Sequence, residues 1–579
     1  MNEKRKSKRW LKIILWVLAV VIVIAGGLFT AGYFYYGRLI KNYLTETIQK
    51  ESRGIYHAEI GEIFLDLING NVRIGNLKLI PDLDRYNELS STDTLPPVLI
   101  GLTIKKLRVK DFNIKRFINE KVIEIDLIRI VSPEVTINRM KAPAHAKEKK
   151  SGDEMLDVDL PAGLGGLLIG EIFLEEGKLT FNDHVSDSLK TYSIPSCSIR
   201  ITGINVMPGV HNGKLFNADD INLVVRGFEF KPKNGMNLIT FGEIGLSTSQ
   251  QELWVKDFHL LPQYNNHDYS RKLGFQTDRM DVSFGEVRLS RLDFRSMILH
   301  GSLIAGKLSI DSLLLDSYRD KRIPPKPGFR PPMPQEGIRS IKSYLRIDSV
   351  VLNSGKATYS EQVGEEPGTI YFDKMNATLL ALTNDSNLLQ SGLISELRGT
   401  AWLMGKGKLD AAIRFKFGDK ANTFSFSAQM GPVDLREINP MLSKLVPGHV
   451  QRGQITRMVI PEVQANNDVA YGSMLLYYKN MNVQMDVQKV NAWNKIKTGV
   501  INWVANDIIV HDDNPTAAGK MNKGIIHFVR DKEKGIINFL WKSAFSGIKS
   551  TIGINDKQQK HVKKKLKNDK KEAKKKGKK

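Results

Sequence analysis

The feature that most narrows what this chain can fold into is an apolar template, φ-x-φ-x-x-φ-x-φ: two period-2 runs separated by a one-residue slip. Copies begin at Val72, Leu107, Ile123, Leu167, Ile199, Leu223, Leu253, Val287, Leu308 and Leu345. Period-2 alternation marks a strand with one apolar and one wet face. A slip of one residue keeps the apolar set on that face only if a bulge or tight bend lies between the runs. The slip pairs suit a bend, being mostly polar or Gly: Gly75-Asn76, Lys110-Asp111, Arg226-Gly227, Lys256-Asp257, Asp311-Ser312 and Asp348-Ser349. The expectation is a mainly β protein of repeated antiparallel strands, on the order of 40 of them at about 8 to 12 residues each.

A longer repeat is visible when Ile169-x-Glu-Ile-x-Leu-x-x-Gly-Lys-x-Thr-Phe181 is set beside Ile347-x-Ser-Val-x-Leu-x-x-Gly-Lys-x-Thr-Tyr359. Ile125 to Ile137 fits the same frame, with Pro133 at the Gly position. Such self-similarity points to one supersecondary unit used repeatedly.

No charged residue occurs from Ile13 to Gly37, and this stretch meets the roughly 20 apolar residues that a bilayer-spanning helix needs. Lys4, Arg5, Lys6, Lys8, Arg9 and Lys12 precede it against Glu3 alone, which orients the N-terminus to the cytosol. Tyr33, Phe34, Tyr35 and Tyr36 form an aromatic belt at its far end. The apolar run continues past the small residues Ala25 to Gly27, so the segment reads as a retained signal-anchor rather than a cleaved signal. The remainder is then expected outside the cytosol. With Cys197 as the single cysteine, no intrachain disulfide can form there.

The net charge of +23 is concentrated in two tails, with +5 in residues 1–12 and +10 in residues 556–579, leaving +8 for the body. A basic chain ordinarily suggests nucleic acid. Here the charge lies in tails, the second outside the cytosol, so a membrane or other polyanion is the expected contact and nucleic acid is not.

Two breaks interrupt the β pattern: the polar, Lys/Glu-rich segment 141–160, and residues 319–337, whose prolines permit only loop or extended PPII backbone. The expected organisation is therefore a cytosolic and membrane segment (1–37), an N-terminal β module (38–141), a polar linker (142–160), a middle β module (161–318), a Pro-rich linker (319–337), a C-terminal β module with amphipathic helices (338–555) and a Lys-rich tail (556–579). Helical stripes are few: Leu39/Ile40/Tyr43/Leu44/Ile48, Trp493/Ile496/Val500/Trp503/Val504, and Ile536/Ile537/Leu540/Trp541/Phe545/Ile548/Ile552.

Catalytic motifs are missing. Gly301 to Leu308 has Walker-type spacing but Leu308 where Mg²⁺ binding needs Ser or Thr, and it merges into a β repeat. His511-Asp512-Asp513-Asn514 is the one cluster of potential ligands, and before Pro515 it reads first as a turn. A non-enzymatic protein without a metal or other cofactor is expected.

The anchor, Gly70-Asn-Val-Arg-Ile-x-Asn-Leu-x-Leu-x-Pro81 and Ile128-x-Ile-x-x-Pro-x-Val-x-Ile137 resemble the N-terminal part of the AsmA-like proteins of diderm bacteria. Met430-Gly-Pro-Val-Asp-Leu-x-x-Ile-Asn-Pro440, Tyr471 to Met481 and Ile537-Asn-Phe-Leu-Trp-Lys-Ser-x-Phe-x-Gly-Ile548 are similar to the C-terminal pattern of that family. The resemblance implies an inner-membrane-anchored periplasmic protein, built of repeated β units forming a groove and acting in outer-membrane homeostasis through phospholipid transfer. The Pro-rich segment and the Lys tail lie outside the family pattern.

Physical reasoning reaches a similar point separately. One-faced strands must bury their apolar side, and few helices exist to cover it. Either sheets close on one another, or the sheet curls into a trough completed by acyl chains. The lining expected for a trough is Ile172, Leu174, Val225, Phe228, Phe230, Val255, Phe258, Val350 and Leu352; the residues expected to contact an anionic membrane are Trp541, Phe545, Lys563, Lys564 and Lys565. The rival expectation is a structural or assembly factor that engages envelope proteins through closed β modules.

Overall fold

The computed structural model describes residues 45–553, apart from 67, 91–94, 96–97, 141–159, 161–163, 186–189, 209–216, 446–447 and 486–511. The expected anchor, the stripe at 493–504, His511 and Lys563, Lys564 and Lys565 lie outside the described residues. Among those described, no helix is long and apolar enough to cross a membrane.

The described residues are mainly β, 58% strand and 17% helix, with a long antiparallel sheet. Its strands are β1 (Tyr56–Ile60), β2 (Ile63–Asp66), β3 (Asn71–Pro81), β4 (Val98–Lys110), β5 (Val122–Arg139), β6 (Gly166–Asp183), β7 (Lys190–Val206) and β8 (Asp220–Phe230). There follow β9 (Asn237–Ser247), β10 (Glu252–Pro262), β11 (Asp278–Ser290), β12 (Leu303–Asp311), β13 (Leu314–Asp320), β14 (Leu345–Gln362), β15 (Pro367–Thr383) and β16 (Ser395–Leu403). The last are β17 (Gly407–Phe415), β18 (Phe424–Met430), β19 (Val433–Asp434), β20 (Gly448–Ala465), β21 (Val469–Met485) and β22 (Gly524–Val529).

These 22 strands among the described residues are about half the number expected, for a local reason. Seven of the ten template copies each lie within one long strand rather than two short ones, and β5, β6 and β14 each run 18 residues; the copies at Leu107, Val287 and Leu308 run past a strand end. The bends fall at the slips, within β3, β8 and β10 and just past the ends of β4 and β12. Asn76, Asp111, Gly227, Asp257 and Ser312, the second residues of five slip pairs, all have φ between 50° and 66°. One left-handed residue re-aims the strand and returns the next apolar side chain to the same face.

The longer repeat has a three-dimensional counterpart. β5 and β6 pair in parallel from Val122 with Gly166 to Arg139 with Asp183, at a constant offset that sets Ile125 beside Ile169 and Ile137 beside Phe181. The two matching sequence frames are therefore neighbours in register. Ser132, Glu176 and Ser354 occupy one position of the frame, and all three have positive φ, at 46°, 52° and 55°. Gly177 and Gly355 follow, opposite Cys197 and Met375, each flanked by register shifts. A Cβ at Gly177 would come within 3.1 Å of Cys197 Sγ, and one at Gly355 within 3.2 Å of the Met375 Cβ. β14 likewise has a parallel partner, β13. These two parallel pairings are exceptions within the expected antiparallel array.

The chain divides into two compact units: residues 1–230, 240–257 and 288–303, and residues 231–239, 258–287 and 304–579. In the first unit, a buried cluster from Ile60 to Ile172 is closed partly by the helix α1 (Ile114–Glu120), which contributes Ile114 and Phe117. The core of the second unit gathers Phe415, Phe424, Phe426, Val463, Met474, Tyr478 and Phe539.

The Pro-rich segment departs from its expected loop character. Pro334 opens a helix, α2 (Pro334–Ser340), whose first turn can hold a proline because that backbone N–H has no helical partner. Met333 is 0% exposed within the second unit's core. The Gln335 amide donates to the carbonyl of Asn422, Arg339 donates to the carbonyls of Phe417 and Asp419, and Arg530 donates to that of Pro331. A composition scan sees only that prolines forbid strand, not that a methionine among them fills a core.

Candidate functional site

The cross-strand registers of the first unit assemble the template residues into unbroken rows. One row runs Val72, Val109, Ile128, Ile172, Ile201, Ile221 from β3 to β8. Its neighbour runs Ile74, Leu107, Ile130, Leu174, Ile199, Leu223. Burial is not uniform along them. In the first row, Val72, Val109, Ile128 and Ile172 are each 1% exposed, whereas Ile201 and Ile221 are half-buried. The second row opens one strand sooner, because Leu174, Ile199 and Leu223 are half-buried. A single apolar face is thus sealed at β3 to β5 and open at β7 and β8.

This gradient sorts the expected lining. Ile172 belongs to the sealed core and is removed from any open surface. Leu174, Val225, Phe228, Val255, Phe258, Val350 and Leu352 are half-buried, and Phe230 is 39% exposed. Val225 lies opposite Cys197, next to the Leu223–Ile199 pair. Phe228 stacks on Phe241 at 5.7 Å, and Phe258 on Phe284 at 4.5 Å. In the second unit, Val350 pairs with Leu379, Leu379 with Leu397, and Leu397 with Ile413, all half-buried, before the row enters the core at Phe426 and Val463. Among the described residues from 207 to 332, none joins one of the three buried clusters.

The C-terminal amphipathic stripe folds as the helix α3 (Ile536–Thr551), but its buried seam is Phe539, Ser543, Gly547 and Thr551, which the sequence stripe omitted. Small polar residues escape a search for large apolar ones. They are needed because α3 approaches β22 closely: a Cβ on Gly547 would lie 2.8 Å from Ile526 Cγ1. The hydroxyls of Ser550 and Ser546 accept the backbone N–H groups of Ile525 and His527, covering an edge that would otherwise invite another strand. The stripe that was read from the sequence partly faces away from the seam: Ile537 is 76% and Trp541 51% exposed, with Trp541 stacked on Phe545 at 5.7 Å. Lys542 and Lys549 both reach over the Phe545 ring, at 5.9 and 5.8 Å. Burial pushes the Lys542 ammonium below the usual lysine range, and the nearby Lys321 adds to the effect.

Two sequence clusters with chemical potential have described residues that can be placed. Gly301 ends a helix (Phe294–His300) at φ 64° and leads into β12. That helix-to-strand order is the reverse of the strand-to-helix order a phosphate loop requires. At the second cluster, the Asp513 carboxylate accepts the Asn480 N–H at 2.7 Å, and Asn514 exchanges backbone hydrogen bonds with Tyr478 at 2.9 and 3.0 Å. Among the described residues, no group of three His, Cys, Asp or Glu side chains could hold a metal ion.

Compared with known proteins, the chain matches no family model and no curated protein.

Proposed function

We propose that this is an inner-membrane-anchored periplasmic protein of the AsmA-like type, serving outer-membrane biogenesis by binding or conducting phospholipids along an apolar β face. The observation that carries this reading is the pair of registered rows that leave the sealed core after Ile172 and after Ile130 and continue half-buried through Ile201 to Ile221 and through Leu174 and Ile199 to Leu223. A face of this kind takes alkyl chains at about 0.8 kcal/mol per buried CH₂, while headgroups stay in water at its margin. A uniform lining holds a chain without fixing its position along the strands, which suits sliding. Any driving force for net transfer would come from a partner or a gradient.

A second reading, a structural or assembly factor acting through closed β modules, is favoured by the two sealed cores. Lipid analysis separates the two. The chain lacking residues 1–37, purified without detergent and extracted with organic solvent, is expected to yield phospholipid by mass spectrometry. Phe228→Asp is expected to keep the chain folded and deplete that lipid. A folded wild-type chain that yields none supports the assembly reading.

A further inference from the structure

The opposite face of the first unit carries a third registered row, and its chemistry is unlike that of the lining. Arg73 of β3 lies opposite Arg108 of β4, Arg108 opposite Arg129 of β5, and Arg129 opposite Phe173 of β6. Lys106 and Lys110 flank Arg108 on its own strand, two residues to either side and hence on the same face. Five cations therefore meet at neighbouring strand positions, where like charges directly opposite one another are destabilising.

Compensation within the fold is small. Arg129 donates from Nε and Nη2 to the Glu175 carboxylate, at 3.0 and 2.6 Å. On the adjoining stretch of β6, Glu171 pairs with Arg200, and among the described residues the exposed Glu176 is within ion-pair distance of none of the five cations. Arg73 reaches over the Phe64 ring at 5.7 Å. Among the described residues, Arg73, Arg108, Lys106 and Lys110 have no carboxylate within ion-pair distance, and the buried Nε of Arg108 has no hydrogen-bond partner. A half-buried guanidinium beside four other cations, three of them without a carboxylate partner among the described residues, leaves this face with uncompensated positive charge that suits an anion.

We infer that Arg73, Arg108 and Arg129, with Lys106 and Lys110, form a binding surface for the phosphate groups of an anionic phospholipid bilayer. Arginine's planar fork suits bidentate contact with phosphate oxygens. The occupant follows from charge complementarity and from the order of the chain, in which β3 to β5, among the first strands after the uncharged stretch Ile13–Gly37, carry this row. The inference thus rests on the reading of that stretch as an anchor, and it concerns the face opposite the proposed lining.

The test uses the full chain in nanodiscs of phosphatidylcholine alone or with about 30% phosphatidylglycerol. Arginine modification by phenylglyoxal is read residue by residue by mass spectrometry, with the 69%-exposed Arg398 as reference. Since a basic residue near an anionic surface is worth about a fivefold change in occupancy, modification of Arg108 is expected to slow about fivefold or more with phosphatidylglycerol. Protection should vanish near 1 M salt, where the Debye length falls to about 3 Å. Lys106→Gln with Lys110→Gln, neither of which touches the core, should weaken it. Equal rates in the two nanodiscs overturn the inference, as does equal protection by inorganic phosphate added to neutral nanodiscs, which would assign a free-phosphate site. A chain that fails to co-elute with nanodiscs overturns the anchor reading and this surface together. One that co-elutes unprotected overturns the surface alone.

Discussion

Ile172→Asp is expected to unfold the first unit, whereas Val225→Asp, two strands away, is expected to leave it folded. Ile172 is 1% exposed and lies between Ile128 and Ile201 in register. A carboxylate there is either charged and unpaired or forced neutral, and it also loses the isoleucine's contacts. Together these cost several kcal/mol, a large share of the roughly 5 to 15 kcal/mol that holds a typical domain. Val225 is half-buried, so an aspartate there can keep water on one side, and the expected loss is about 1 kcal/mol. Urea unfolding followed by circular dichroism measures both. Equal destabilisation would mean that the face at β8 is as sealed as the face at β6, leaving no open lining.

The second large effect is expected from Gly524→Val, at the join between β22 and α3. Any Cβ at this position runs into the Gly547 carbonyl and the Thr551 hydroxyl, so the helix must lift from the strand. Overpacking of this kind costs about 1 to 3 kcal/mol. It also uncovers Phe539, which is 2% exposed and packs at 5.9 Å against Phe424 and at 6.2 Å against Phe528. Amide hydrogen exchange across residues 536–551 is expected to accelerate markedly, along with exchange at Ile525 and His527, whose N–H groups lose their serine acceptors. Unchanged exchange in a folded variant would show that α3 does not depend on this contact.

How much of this was legible beforehand depends on the range of the interaction involved. The slip pairs could be read as bends because alternation on either side fixes which face each run must share, and Asn76, Asp111 and Gly227 turn the chain at those places. The matching frames at Ile125 and Ile169 were visible, but their parallel adjacency was not, because nothing local in a strand names its neighbour. Met333 was missed since its burial depends on Phe415 and Phe424, far along the chain. Of the expected lining, Ile172 and Val225 share one apolar pattern, and only packing from other strands and from α1 makes the first core and the second accessible. The arginine row had no sequence signal at all: Arg73, Arg108 and Arg129 are isolated residues until the registers of β3, β4 and β5 align them.

The central claim, that phospholipid chains occupy the apolar face where it opens, is tested most directly by residue-resolved photo-crosslinking along β8. Benzoylphenylalanine would be placed singly at Ile221, Asn222, Leu223, Val224 and Val225 of the full chain, in cells grown with radioactive phosphate. Because successive strand residues point to opposite faces, and Ile221 and Leu223 continue the two apolar rows, phosphate label is expected on the chain from positions 221, 223 and 225 and not from 222 or 224. Label without that alternation, or none at the three apolar positions, would contradict the account.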